Sequence, residues 1–286
     1  PVGHGSGVGA HMAVKEPELF KIPVRPEVMI HCRTNIMMSR ENQKDAAETL
    51  KRTQFVISMV THLDETAEFA DIVLPDTHYL ERTVMFPNKN YLSMNNITGY
   101  YYWGIVQPIV KPAGEARHWW EVLLEIADRV GFLKDFYRIF NYTVLKDPNR
   151  LDLNRKYTLD EILDKYAKSV CGQDYGLDWF KEHGYLKIKR KIEERYPYLA
   201  TKPRLPVYFE NYQRAGEKVK AVTESAGIPW DTSDYLAVPD WKPSPVLNER
   251  NKEYDLFCIN YKIPISYQTI SAQNPWLNEL AEHHPY

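Results

Sequence analysis

The stretch Phe55–Arg82, FVISMVTHLDETAEFADIVLPDTHYLER, constrains the fold of this chain more than any other segment. Phe55 to Val60 is apolar and β-branched, too short for a helix of its own and bounded by polar residues, so it reads as a buried strand. Thr61 to Phe69 predicts a helical turn or two, with Asp64 as N-cap and acidic residues at the positive end. Asp71 to Pro75 predicts a second short strand, stopped by a proline that cannot continue the ladder. Strand, short helix and strand within so few residues require a parallel pair.

Upstream, Val28 to Cys32 is strand-like. Ser39 is placed to cap a helix from Arg40 to about Arg52, with Ala46, Ala47 and Leu50 on one side. The order β-α-β-α-β from Val28 to Leu74, joined by right-handed crossovers, predicts an α/β fold with a doubly wound parallel sheet. Strands of such a sheet end at one edge, where ligands bind. Arg33, Thr34, Asn35 and Ser39 follow the first strand, Thr61, His62, Leu63 and Asp64 the second, and Asp76, Thr77 and His78 the third. Carboxylate and amide groups pair with a purine's donor edge, and helix N-termini accept phosphate oxygens, so a nucleotide-bearing ligand suits these loops. The same groups equally serve to cap helices and satisfy loop backbone.

Other classes are disfavoured. A net charge of −2, from 36 basic and 38 acidic residues, gives no electrostatic case for nucleic acid or an anionic membrane. The three cysteines, Cys32, Cys171 and Cys258, are far apart and form neither a metal box nor a disulfide framework. No apolar run reaches the ~18 residues of a membrane span, and the amino end is no secretory signal. His62, His78, His118, His283 and His284 show no i,i+4 pair beside a carboxylate base, and no nucleophile elbow supports a catalytic triad. The 20 tyrosines and 7 tryptophans suit a large buried assembly surface.

Residues 1–26 read as loop or linker, because the glycines at 3, 5, 7 and 9 follow no strand. Residues 27–226 read as the α/β domain with helical additions. Within it, Glu115 to Val130 predicts a helix with a stripe of Trp120, Leu123, Leu124, Ala127 and Val130, ended by Gly131. Thr158 and Glu161 form a capping box for a helix to about Val170, with Gly172 as its stop, and Leu177 to His183 predicts a helix ended by Gly184. Lys187 to Arg195 reads as a solvated helix face, Val207 to Gly216 as strand then helix, and 217–226 as a charged helix. Residues 227–253 form a proline-rich linker, and 254–286 begin a new unit with a strand at Tyr254–Tyr261.

Taken together, Asp64, Glu65, Thr66, Ala67, Ala70 and Asp71 to Pro75, followed by Tyr79, Leu80, Glu81 and Arg82, resemble the third domain of molybdenum or tungsten bis-pterin oxidoreductases, the dimethyl sulfoxide reductase superfamily. Gln107, Pro108, Pro112 and Gly114 to Arg117 resemble that family's bridge into its next helix. The resemblance implies a fragment of a longer catalytic subunit, whose 254–286 segment starts a β-barrel domain. It implies that this domain holds the guanosine arm of a bis-molybdopterin guanine dinucleotide cofactor carrying molybdenum or tungsten. The cofactor-binding residues implied are Thr34, Asn35, Ser39, Thr61, His62, Asp64, Glu81, Asn88, Gln268, Thr269, Ser271 and Asn274. Arg33 stands where the family has a glycine and Val60 where an aspartate is common, which leaves Asp64 or Thr61 for the guanine. Glu81 and Asn88 serve equally as loop caps.

The metal ligand and the iron-sulfur cysteines are expected elsewhere in the subunit, so no catalytic residue is assigned here. The branch most resembled contains thiosulfate and polysulfide reductases, arsenate reductases and phenylacetyl-CoA oxidoreductases. Expected partners are the remaining domains, an iron-sulfur electron-transfer subunit and a membrane anchor subunit. A non-catalytic nucleotide-binding or scaffold module is the alternative.

Overall fold

The computed structural model describes residues 14–21, 26–40, 42–85, 100–189, 208–243, 256, 259, 264–265, 271 and 273–283. After a single helical turn, α1 (Pro17–Phe20), the chain forms β1 (Val28–Cys32), α2 (Ile36–Ser39), α3 (Gln43–Arg52), β2 (Phe55–Val60) and β3 (Ile72–Pro75). The three strands are parallel in the order β1-β2-β3, with Ile30 beside Ile57 and Ile57 beside Ile72. Right-handed crossovers place both connections of such an order on one face. The reversal of order that defines double winding is not among the described strands.

The helix expected from Arg40 divides in two. Ser39 ends the one-turn α2, and Asn42 is the cap of α3, accepting from the Lys44 and Asp45 N–H groups. An asparagine N-cap satisfies two donors there, whereas Arg40 has extended backbone and cannot sit inside a helix. Ile36, Leu50 and Val56, with Met29, Met37, Phe69 and Ala70 against them, form the small core beneath this face. The opposite face stays open: Ile30 and Ile72 are exposed.

A second sheet, β4-β5-β6, is antiparallel: β4 (Val84–Met85) and β6 (Tyr185–Lys189) flank β5 (Tyr100–Val106). Lys187–Lys189 is therefore strand, not helix, because Leu186 pairs with the buried Trp103. Lys187 lies over the Tyr100 ring, with Nζ 4.1 Å from its centre, which lets a charged residue cover apolar surface. Against this sheet pack α4 (Trp119–Val130), α5 (Leu133–Thr143), α6 (Leu159–Cys171) and α7 (Leu177–His183). Helix α4 begins four residues later than expected, where the His118 ring accepts from the Trp120 N–H. The Thr158–Glu161 capping box and the glycine stops at 131, 172 and 184 are all present. Trp103, Tyr137, Ile162 and Phe180 are at most 2% exposed and make this the main core.

Helix α8 (Glu210–Ala226) is one continuous helix across both segments expected there; residues 208 and 209 directly before it are not strand, and the start of the expected strand at 207 lies outside the described residues. The irregular 228–243 stretch runs beside it. Gly216 allows that approach, since a Cβ there would lie 2.3 Å from the Tyr235 Cβ, and Tyr212 stacks on Tyr235. Helix α9 (Pro275–His283) closes the described chain. Apart from Leu256 and Ile259, the strand expected at 254–261 falls outside the described residues. No described helix is long and apolar enough to cross a membrane.

Candidate cofactor site

The carboxyl edge of the parallel sheet is built by three loops whose side chains bind one another. The Asn35 amide donates to Glu65 Oε2 at 2.6 Å and its carbonyl accepts from the Thr66 hydroxyl at 2.9 Å. Thr66, fully buried, also accepts from the Met37 N–H, so the first and second loops form one unit. Asp64, two residues before the Thr66 cap position of the short 3-10 turn Ala67–Phe69, accepts the Ala67 N–H at 2.8 Å. Desolvation raises the Asp64 pKa, against the backbone hydrogen bonds that lower it. Glu65 is shifted down by its bond to Asn35.

The third loop is anchored by Asp76, whose side chain has no exposure. One carboxylate oxygen takes Arg82 Nη1 at 2.9 Å and lies 3.6 Å from Arg33 Nε; the other takes the Trp119 N–H at 3.0 Å. Asp76 thus ties the first loop, the third loop and the start of α4 together. Sequence reading placed it in the third loop but not among the site residues. Its position directly after a strand-ending proline was the only local signal, since the partners lie up to 43 residues away.

Arg33 adopts a left-handed backbone, φ 55°, a conformation that costs a non-glycine residue about 1–2 kcal/mol. This is the position where the sequence resemblance has glycine. His118, beside this group, has its pKa pushed down to about 4, first by desolvation and then by Arg82, with Asp76 opposing.

The expected site residues divide accordingly. Thr34 and Asn35 are half-buried in the first loop, Ser39 is exposed at the end of α2, and Thr61 and His62 are exposed on the second loop, paired at 3.1 Å. Glu81 spends both oxygens on backbone, the His78 N–H at 2.7 Å and the Ala113 N–H at 3.0 Å. Asn274 caps α9, accepting from Trp276 and Leu277. The tail does reach the edge: Gln273 donates to the Leu63 carbonyl at 3.2 Å, across 210 residues of sequence. Ser271 precedes that contact. Asn88, Gln268 and Thr269 lie outside the described residues.

A three-stranded parallel α/β sheet with converging polar loops defines a ligand-binding class of fold. Residues 4–129 match the family described as Molybdopterin oxidoreductase. Acetylene hydratase of Syntrophotalea acetylenica is 32% identical over 116 residues, 39% of this chain and 15% of its own length. The thiosulfate reductase molybdopterin-containing subunit of Salmonella typhimurium is 27% identical over 126 residues, 44% of this chain and 16% of its own. The perchlorate reductase alpha subunit of Dechloromonas aromatica is 26% identical over 157 residues, 54% of this chain and 16% of its own. The matched region therefore spans about one sixth of these relatives. The family implies a molybdopterin cofactor with molybdenum or tungsten.

The donor set fits the organic part of such a group. The exposed hydroxyl of Thr61 and imidazole of His62 and the half-buried carboxylate of Asp64 lie on one loop held by the Thr66–Asn35 and Asp64–Ala67 bonds. No cluster of metal-ligating side chains occurs among the described residues.

Proposed function

We propose that this chain is part of the catalytic subunit of a molybdenum- or tungsten-dependent oxidoreductase, and that its carboxyl-edge loops hold the guanine dinucleotide arm of the pterin cofactor. The observation that carries this reading is the meeting of the 61–64 loop, the Asn35 loop and the 271–274 segment at one edge, through the Gln273–Leu63 bond. Asp64 keeps one oxygen on the Ala67 N–H and offers the other to the donor edge of guanine. Thr61 and His62 supply hydroxyl and ring nitrogen to the ribose or phosphates, and Asn35 holds the two loops at a fixed separation. The bound group would supply two-electron chemistry, oxygen-atom transfer or hydroxylation, at its metal. The related proteins are named as a thiosulfate reductase subunit, a perchlorate reductase subunit and an acetylene hydratase.

In this reading residues 27–226 are the cofactor-binding domain, 227–253 a linker and 254–286 the start of a β-barrel. The open face at Ile30, Ile57 and Ile72 receives further structure that completes a doubly wound sheet, since parallel sheets are covered on both faces. An iron-sulfur cluster elsewhere in the subunit and an iron-sulfur partner subunit pass the electrons. The test is molybdenum, tungsten and iron analysis with pterin extraction on the native protein. Metal with a guanosine nucleotide released from the pterin supports the proposal. Neither metal nor pterin would favour a non-catalytic nucleotide-binding or scaffold module.

A further inference from the structure

A cavity of about 370 Å³ lies between the Asp76 group and helices α4 to α6. Its two ends differ in chemistry. One end is cationic and polar, lined by Arg33, Arg82 and His118; the other is apolar, lined by residues such as Trp120, Leu163 and Tyr166. Among the described residues no carboxylate lines it.

The charge count at the polar end is unbalanced. Asp76 neutralises one guanidinium, and both its oxygens are committed to Arg82, Arg33 and the Trp119 N–H. His118 contributes no compensating charge, and its ring nitrogen is occupied by the Trp120 N–H. Two guanidiniums thus share one buried carboxylate. Arg82, 4% exposed, also keeps an Nε with no hydrogen-bond partner among the described residues. Buried cations are retained when paired and hydrogen-bonded, so an excess positive charge here favours an anion. Arg33 is the member able to meet one, with its side chain 42% exposed and 3.6 Å from Asp76. Its left-handed backbone is a strained feature at the same spot, of the kind that gathers at ligand clamps.

A space of this size with an apolar body and a few polar groups at one end matches small-molecule sites in general. We propose that the cavity binds a small organic monoanion, a carboxylate on a compact aromatic or aliphatic body, with Arg33 engaging the carboxylate and α4 to α6 enclosing the body. The inference goes beyond the cofactor reading and does not rest on it, because none of its residues is assigned to the nucleotide.

The experiment is isothermal titration calorimetry of the intact native protein with sodium benzoate, its uncharged isostere benzamide, and acetate, which lacks the body. Benzoate is expected to bind about tenfold or more tightly than either comparison compound. Arg33→Gln, at the exposed mouth, is expected to bring benzoate to the level of benzamide and leave benzamide unchanged. Leu163→Trp fills the apolar end and is expected to abolish benzoate binding with the circular dichroism spectrum retained. If that variant does not fold, the Arg33→Gln comparison still decides. No benzoate binding to the native protein, equal binding of benzoate and benzamide or of benzoate and acetate, or undiminished benzoate binding in Arg33→Gln would each overturn the proposal.

Discussion

The two sheets are held together by different kinds of contact. The parallel sheet rests on a small apolar cluster of Ile36, Leu50 and Val56, with Met59 and Val60 also buried in β2, and leaves Ile30 and Ile72 exposed on its other face. Its loops are instead fixed by polar bonds: Asn35 to Glu65 and Thr66, Asp64 to Ala67, and Asp76 to Arg82. The antiparallel sheet and its helices enclose Trp103, Tyr137, Leu177 and Phe180 in a larger core rich in aromatic side chains. The first region therefore fixes a set of polar loops beside a sheet face with exposed isoleucines, and the second supplies the larger apolar base. Asp76 joins them, because its partners come from the first loop, the third loop and α4.

The contrast breaks most visibly at that joint. Asp76→Ala strands the buried Arg82 guanidinium and is expected to cost about 3–5 kcal/mol, the cost of removing one partner of a buried ion pair. Hydrogen exchange should then accelerate in both regions, around β3 and at the start of α4. Phe180→Ala, at a fully buried position, is expected to cost about 3–5 kcal/mol as well. Its faster exchange should stay within the antiparallel sheet and α4 to α7, and spread into β1 to β3 would contradict the division. Gly216→Ala forces a Cβ against Tyr235 and is expected to cost about 1–3 kcal/mol, read as exposure of the 228–243 stretch to proteolysis.

A smaller effect is expected from pH. The folded-state pKa of His118, about 4, lies below its ordinary 6.5. Above pH 6.5 both folded and unfolded chains hold a neutral ring, and its stabilising contribution is fully present. As pH falls from 6.5 towards 4 the unfolded chain takes a proton that the folded chain refuses, so stability is lost across that window. Partial exposure of the ring screens the effect. Urea midpoints should fall less steeply between pH 6.5 and 4 in His118→Asn than in the native protein.

Much of the first region was legible because its signals are local. The β-branched run Phe55–Val60 and the Pro75 stop act within a few residues and stand as expected, while Asp64 bonds the turn after it from two residues before the cap at Thr66. The same holds for the Thr158–Glu161 box and the glycines after α4, α6 and α7. The break between α2 and α3 escaped notice because Ser39 and Asn42 are both good caps by residue type, and only backbone geometry separates them. Strand β6 looked like a charged helix face because Lys187 and Lys189 obscure a strand whose pairing to Tyr100–Val106 spans more than 80 residues. Helix α5 gave no distinct cue at its start, where Phe132 makes no side-chain cap. Within the site, the loops after each strand were foreseen from topology. Asp76 as hub and Gln273 on the second loop were not, since both depend on contacts far apart in sequence.

The central claim, that the second loop holds the guanine of the pterin dinucleotide, is tested most directly by the nucleotide content of an Asp64→Asn protein purified beside the native one. Asparagine keeps an oxygen for the Ala67 N–H, so the turn survives, but it replaces the second acceptor that guanine would use with a donor. The account predicts a fall of about tenfold or more in guanosine nucleotide per chain, with unchanged circular dichroism. Native nucleotide content in that variant would contradict it.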